Sequence, residues 1–173
     1  RKGTDVLLRA LALVRRTTGV RLVLAGGEAG PYRRLASMLG ISDAVVFLPR
    51  LSDQDLHALY EACDMYVSAS RLEGFGLAPM EAMAHGKPVV VTETGLAAGG
   101  FLPRDIGAIV PPDDPRALAE AITRLAANPS GLRAIGERNR AWVERHLSWR
   151  RTAEDTLQVY EGVLSMLGTK GGT

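Results

Sequence analysis

Two glutamates with seven residues between them carry the strongest chemical signal in the chain. Glu73 and Glu81 lie within EGFGLAPMEAMAHGKPVVV, residues 73–91. The stretch follows an apolar run, and Pro79 to Ala84 predicts a helix start with proline in its first turn. Gly74 and Gly76 let backbone approach a ligand closely, and a helix start offers free N–H groups to an anion. A carboxylate accepts hydrogen bonds from two neighbouring hydroxyls at once, the pattern a hexose or a ribose presents. Glu81 alone is equally explained as a partner of the helix dipole, and both readings stay open for it.

Other residues offer weaker chemistry. His85 ends the same helix and reads as a partner of its C-terminal dipole. Cys63 lies between a helix and a strand and reads as a small buried apolar residue rather than a nucleophile. Glu28 reads as a solvated loop carboxylate, and the loop GGEAG at 26–30 lacks the glycine spacing of a dinucleotide fingerprint. Arg133, Arg138, Arg140, Arg145, Arg150 and Arg151 predict a solvated helix face, with attraction to anionic lipid as the sharper alternative.

These residues need a frame. Five short runs rich in β-branched residues recur: RLVLA (21–25), AVVFL (44–48), MYVSA (65–69), PVVVT (88–92) and GAIV (107–110). Each is almost continuously apolar, as in strands buried on both faces. Between them, Val6, Leu7, Ala10, Leu11 and Val14 share one helical stripe. Leu56, Leu59 and Tyr60 share another, behind a Ser52 cap with Asp55 three residues on. The alternation predicts an α/β fold with a doubly wound, Rossmann-like parallel sheet, and ligands at the carboxyl ends of its strands.

From PPDDP (111–115) onward the pattern is helical. Leu118, Ala121, Ile122 and Leu125 share a face. After NPSG (128–131) come Leu132, Ile135, Trp142 and Val143, and Ser148 caps a third helix carrying Ala153, Leu157, Tyr160 and Leu164. This helical extension, about residues 114–167, is expected to pack against or beside the sheet, and TKGGT at the end to fray. The first helix starts almost at residue 1. A strand is therefore expected just upstream, in the middle of the sheet beside the runs at 21–25 and 65–69, and the chain reads as a piece of a longer protein.

Composition narrows the function classes. Of 173 residues, 46% are apolar and 23% charged, a globular balance. With 21 Lys and Arg against 19 Asp and Glu, the net charge of +2 is too small to imply a nucleic-acid partner. One cysteine excludes an internal disulfide and a cysteine-rich zinc site. No apolar run approaches the roughly 20 residues that span a bilayer, and no signal peptide is visible, so a cytoplasmic setting is expected.

Glu73-Gly-Phe-Gly-Leu, then Glu81-Ala-Met-Ala, then Gly86-Lys-Pro-Val-Val resembles the paired-glutamate motif of retaining GT-B glycosyltransferases of the group-one type. Other segments agree in order: Lys2-Gly3 with Asp5, Leu22 to Gly27, Val46-Phe47-Leu48 with Leu51 and Asp55-Leu56, Val110 to Pro115, and Ser148-Trp149. The resemblance covers essentially the whole chain, as the C-terminal half of the GT-B fold. It implies that residues 1–173 form the domain that binds a nucleoside-diphosphate sugar, with an acceptor-binding N-terminal domain and the first strand lying outside this chain. It also implies roles. Glu73 bonds hydroxyls of the transferred hexose, and the amides of Phe75, Gly76 and Leu77 face the sugar and its phosphate. Glu81 holds the ribose hydroxyls, Lys2 neutralises the diphosphate, the Leu51 backbone meets the base, and Gly27 lets the chain come near the donor. Glu73 and Lys2 are the catalytic candidates. No metal and no cofactor besides the donor itself is implied, because a lysine and oriented amides stabilise the charge that develops on the leaving diphosphate.

The chain departs from that family in two places. Arg1 stands too close to Lys2 to be the family's upstream arginine, and Thr94 to Asp105 reads TGLAAGGFLPRD, without the family's glutamate after a Gly-Gly pair. Two alternatives stand beside transfer. A sugar-nucleotide-binding module without activity could dispense with Glu73, which is present. A flavodoxin-like regulatory domain needs an acidic cluster at the first strand end, and none is visible. The fragment by itself is expected to be inactive, and peripheral association at the inner membrane face is the alternative to a free cytoplasmic protein.

Overall fold

The computed structural model describes residues 1–27 and 29–168. Glu28 and the terminal TKGGT, on which the loop-carboxylate and fraying expectations fall, lie outside the described residues. The β-branched runs form five strands: β1 (Leu22–Ala25), β2 (Val45–Leu48), β3 (Tyr66–Ser68), β4 (Val89–Thr92) and β5 (Gly107–Val110). All pairings are parallel, and they make two sheets, β1-β2 and β3-β4-β5. Seven α-helices accompany them among the described residues: α1 (Thr4–Val14), α2 (Gly30–Met38), α3 (Asp53–Ala62), α4 (Leu77–Ala84), α5 (Pro115–Ala126), α6 (Pro129–His146) and α7 (Trp149–Gly168).

Helix α1 joins the two sheets. Val6, Leu7, Ala10 and Val14 pack with Val90, Ala108 and Val110 and with the apolar stripe of α5. Leu8 and Leu11 face the other way, onto Ala36, Ile41, Ala44 and Val45. Leu22 and Leu24 of β1 and Val67 of β3 all border the α1–α5 cluster, so the unpaired edges of both strands flank one helix. On the opposite face of β3-β4-β5, Tyr60, Met80, Met83, Val89, Val91 and Ile106 form a second core under α3, α4 and α6.

Burial on both strand faces holds for β4 alone. It is the middle strand of three, covered on each side, whereas β1 and β3 are edges. Along β1, Leu22 and Leu24 turn inward while Val23 and Ala25 are exposed. The caps follow the sequence: Ser52 accepts from the Asp55 N–H, Asp114 from Arg116 and Ala117, Asn128 from Gly131, and Ser148 from Arg151. Helix α5 packs on α1 and β5, and α6 packs on α4. The expectation that the whole extension lies against the sheet fails for α7, where every described side chain from Trp149 to Met166 is exposed except at Gly162.

Helix α6 grips the far end of α4. A Cβ at Gly136 would overlap the Gly86 carbonyl, so the two backbones meet with no side chain between them. Buried Asn139 donates to the carbonyls of Lys87 and Ile106, both at 2.9 Å, and the Arg140 guanidinium donates to the Ala84 carbonyl at 3.1 Å. Arg138 pairs with Asp105 and Arg151 with Asp155, so half of the six C-terminal arginines have structural partners rather than forming a purely solvated face.

Candidate functional site

The loops at the carboxyl ends of β3, β4 and β5 and the turn before α1 converge. Gly3 has φ 66°, and a Cβ there would overlap the Ala69 carbonyl, so the Lys2–Gly3 turn is pressed onto the end of β3. Arg71 locks it. Its N–H donates to the Arg1 carbonyl at 2.9 Å, and its guanidinium grips both Asp5 oxygens (2.9 and 2.7 Å) and Asp113 Oδ1 (2.6 Å). The Arg71 hydrogen bonds hold the Asp5 carboxyl below its ordinary value against the opposing effect of burial.

This geometry delivers the Lys2 ammonium to Glu73 Oε1 at 2.7 Å. The Ser70 hydroxyl donates to the same oxygen at 2.7 Å, and the buried Thr92 hydroxyl donates to the Ser70 carbonyl at 2.5 Å. The Lys2 side chain is 66% exposed and that of Glu73 only 16%. Burial pushes the Glu73 carboxyl up, but the Lys2 and Ser70 hydrogen bonds outweigh it and hold it below its ordinary range. Glu73 Oε2 has no protein partner among the described residues.

Glu73 leads into α4, whose N-cap Gly76 has φ 90° and whose first turn carries no side-chain cap. Phe75, Gly76 and Leu77 thus stand at a helix start with unsatisfied N–H groups. A recess of about 20 Å³, room for roughly one water, lies among Ser68, Glu73, Phe75, Gly76, Thr92 and Leu96. The loop that departs from the family pattern packs over it: a Cβ at Gly95 would come within 3.0 Å of the Gly74 carbonyl and 3.1 Å of Glu73 Cβ.

Glu81 lies past the first turn of α4, which contains no acidic residue. The helix-dipole reading loses its footing there, because that effect fades beyond the first turn. Its Oε2 instead accepts from the Tyr60 hydroxyl at 3.0 Å. Tyr60 is 5% exposed. Its ring stacks on His85 (centroids 5.4 Å, 18°) and lies 6.1 Å from Tyr66. His85 ends α4 as expected, yet it serves as one wall of this aromatic stack, with Nε2 2.8 Å from His57 Nδ1. The Tyr66 phenol is pushed up to about 12 by burial and by the charges of both Glu73 and Glu81. One phenol thus senses both carboxylates. Cys63 is half-buried, its thiol donates to the Tyr60 carbonyl at 3.3 Å, and burial pushes it up, as suits an unreactive residue.

Gly27 and Leu51 belong to the other sheet. The Gly26 N–H bonds the carbonyls of Leu48 and Pro49 at 3.1 and 3.2 Å, which draws the ends of β1 and β2 together. Gly26 and Gly27 have φ of 80° and 75°, and a Cβ on Gly27 would meet open space. Among the described residues no hydrogen bond or ion pair joins Gly27 or Leu51 to Lys2, Glu73 or Glu81. The residues that sequence reasoning missed are Ser70, Arg71 and the Tyr60 hydroxyl. A signal existed for Tyr60, since a buried phenol needs a hydrogen-bond partner.

A family model described as glycosyl transferases group 1 matches residues 1–142. A D-inositol 3-phosphate glycosyltransferase of Saccharomonospora viridis is 38% identical over 97% of this chain and 42% of its own length. A GDP-mannose-dependent alpha-(1-6)-phosphatidylinositol monomannoside mannosyltransferase of Mycolicibacterium smegmatis is 33% identical over 94% of the chain and 45% of its own. Among solved structures, sucrose-phosphate synthase from Thermosynechococcus elongatus superposes with TM-score 0.80 at 32% identity, over 96% of this chain and 43% of that one. The chain therefore spans about two fifths of the length of such relatives.

Proposed function

The chain belongs to the group 1 glycosyl transferases, and we propose that residues 1–173 are the donor-binding part of a retaining enzyme that moves a hexose from a nucleoside diphosphate to an acceptor hydroxyl. The observation that carries this reading is the Lys2–Glu73 ion pair at 2.7 Å, set between the starts of α1 and α4, with Glu81 further along α4.

As the glycosidic bond breaks, negative charge gathers on the departing diphosphate. The exposed Lys2 ammonium and the uncapped amides at Phe75, Gly76 and Leu77 meet that charge, and they are oriented before the reaction begins. In the donor-free protein Lys2 and Glu73 neutralise each other, so a bound diphosphate draws the ammonium toward itself. Glu73 Oε2 accepts from hexose hydroxyls and Glu81 from ribose hydroxyls. The Leu51 backbone meets the base, and open space beside Gly27 admits the nucleotide. The leaving phosphate takes the acceptor proton on the same face, which retains the anomeric configuration and makes the step one of position and electrostatics.

The same proposal includes a strand between the free edges of β1 and β3 and an acceptor-binding domain upstream, both outside this chain. It includes contact with the inner membrane face through Arg133, Arg145 and Arg150. Among the described residues no helix is long and apolar enough to cross a membrane. Titrating the full-length protein with UDP-, GDP- and ADP-sugars by calorimetry identifies the donor, and the anomeric proton of the product reports stereochemistry. Tight binding with no transfer to any acceptor would instead favour the sugar-nucleotide-binding module, and no binding of any of the three would defeat both.

A further inference from the structure

Glu81 is held by a group that the paired-glutamate pattern does not contain. We infer that Tyr60 is a positioning residue for the nucleotide: its hydroxyl holds one oxygen of the Glu81 carboxylate so that the other is presented to the ribose hydroxyls. The inference rests on the role proposed above for Glu81.

The geometry is specific. The Tyr60 hydroxyl lies 3.0 Å from Glu81 Oε2 and 3.4 Å from the Ala78 carbonyl, so the carboxylate is its nearer acceptor. Oε1 has no protein partner among the described residues. A glutamate on an exposed helix face samples several rotamers and loses that freedom when a ligand fixes it. Here the loss is met before the ligand arrives. The holding group is itself immobile, because Tyr60 is buried and its ring is stacked on His85 and close to Tyr66. Burial and the neighbouring Glu81 push the phenol above its ordinary value, so it remains a donor across neutral pH.

The contact also spans two elements. Tyr60 is on α3, which starts two residues after Leu51, and Glu81 is on α4. The group proposed to meet the base and the group proposed to hold the ribose are therefore tied through one hydroxyl. An error in the α3–α4 spacing would displace one end of the nucleoside from its partner.

The test uses the full-length protein with UDP, GDP and ADP and the 2′,3′-dideoxy form of each. In the unmodified protein the ribonucleotide that binds should do so more tightly than its dideoxy form. Tyr60→Phe keeps the ring and its stack and removes only the hydroxyl. It should weaken that ribonucleotide about five- to tenfold while leaving the dideoxy form within about twofold, the scale of one hydrogen bond. Equal weakening of both forms would show a merely structural role, and no weakening of the ribonucleotide would show no role; either overturns the inference. Glu81→Gln separates the two levels of the argument. If it erases the ribo-to-dideoxy preference and Tyr60→Phe leaves that preference unreduced, Tyr60 falls and Glu81 stands. If Glu81→Gln leaves the preference intact, the reading of Glu81 is wrong and the inference falls with it.

Discussion

Glu73 shares one oxygen between a full cation and a hydroxyl, both at 2.7 Å, whereas Glu81 is held by one neutral hydroxyl at 3.0 Å. The partners differ in origin as well. Lys2 is 71 positions from Glu73 and is placed by the Gly3 turn and the Arg71 clamp. Tyr60 is 21 positions from Glu81 and is placed by packing of α3 beside α4 under one sheet. One corner is assembled by charge from distant parts of the chain, and the other by an aromatic stack. Perturbations of backbone, charge and pH should therefore fall on the first corner, and perturbations of nucleotide affinity on the second.

The sharpest break in that comparison is Gly3→Ala. The left-handed φ and the overlap with the Ala69 carbonyl both oppose a Cβ, and together should cost about 2–4 kcal/mol of stability. A denaturant titration should show the loss, along with a Glu73 corner that no longer pairs with Lys2. A stability change below about 0.5 kcal/mol, the level of an ordinary surface substitution, would mean that the turn is not wedged as described.

Next come the carboxylates themselves. Glu81→Ala should weaken the bare nucleoside diphosphate by roughly 1.5–3 kcal/mol, the scale of a hydrogen bond to a charged group. Glu73→Ala should leave the bare nucleotide within about 0.5 kcal/mol and act on sugar-dependent binding and turnover. Calorimetry with nucleotide lacking sugar decides it: equal losses would mean that the roles are misassigned. Ser70→Ala should be milder, lowering turnover by the equivalent of about 1 kcal/mol, since Lys2 still holds the same oxygen.

The smallest effect is on pH. The folded-state carboxyls of Glu73 and Asp5 lie below their ordinary values of 4.5 and 3.8. Their contribution is fully present above those values and is lost as pH falls through the lower folded-state values. Both belong to the charged corner, so Glu73→Gln should flatten the acid limb of a stability–pH curve. An unchanged limb would show that the ion pair contributes nothing to folding.

Much of the frame is legible because β-branched runs bounded by Gly, Pro and charged residues can do little else than pair. All five strands fall on such runs. Helix α2 is hard to read in the sequence because only Ala36 is buried along it, and Tyr32 and Leu35, with Leu39 just past its end, make a thin stripe. The stripe on α7 misleads in the opposite sense, since a helical period says which side is apolar but not what covers it. At the site, Glu73 and Glu81 stand out because they share one short motif. Arg71 does not, since its carboxylate partners Asp5 and Asp113 lie 66 and 42 positions away. Tyr60 reads as core, and it is core. Its ring follows the stripe, while its hydroxyl answers to a residue on another helix.

Helix α6 gives the domain a back as well as a front. The helix that carries Glu81 is braced at its other end, where the Gly86 carbonyl abuts Gly136 and Arg140 caps the Ala84 carbonyl. A rod held this way transmits small displacements along its length. A methyl group added at Gly136 would lever Glu81 from a point with no view of the nucleotide. If Glu81 holds the nucleotide as proposed, divergence at that buried contact would retune donor affinity while the residues around Glu81 stay the same. Two relatives with the same residues around Glu81 need not hold the proposed nucleotide equally, and the cause would lie where α6 meets the far end of α4.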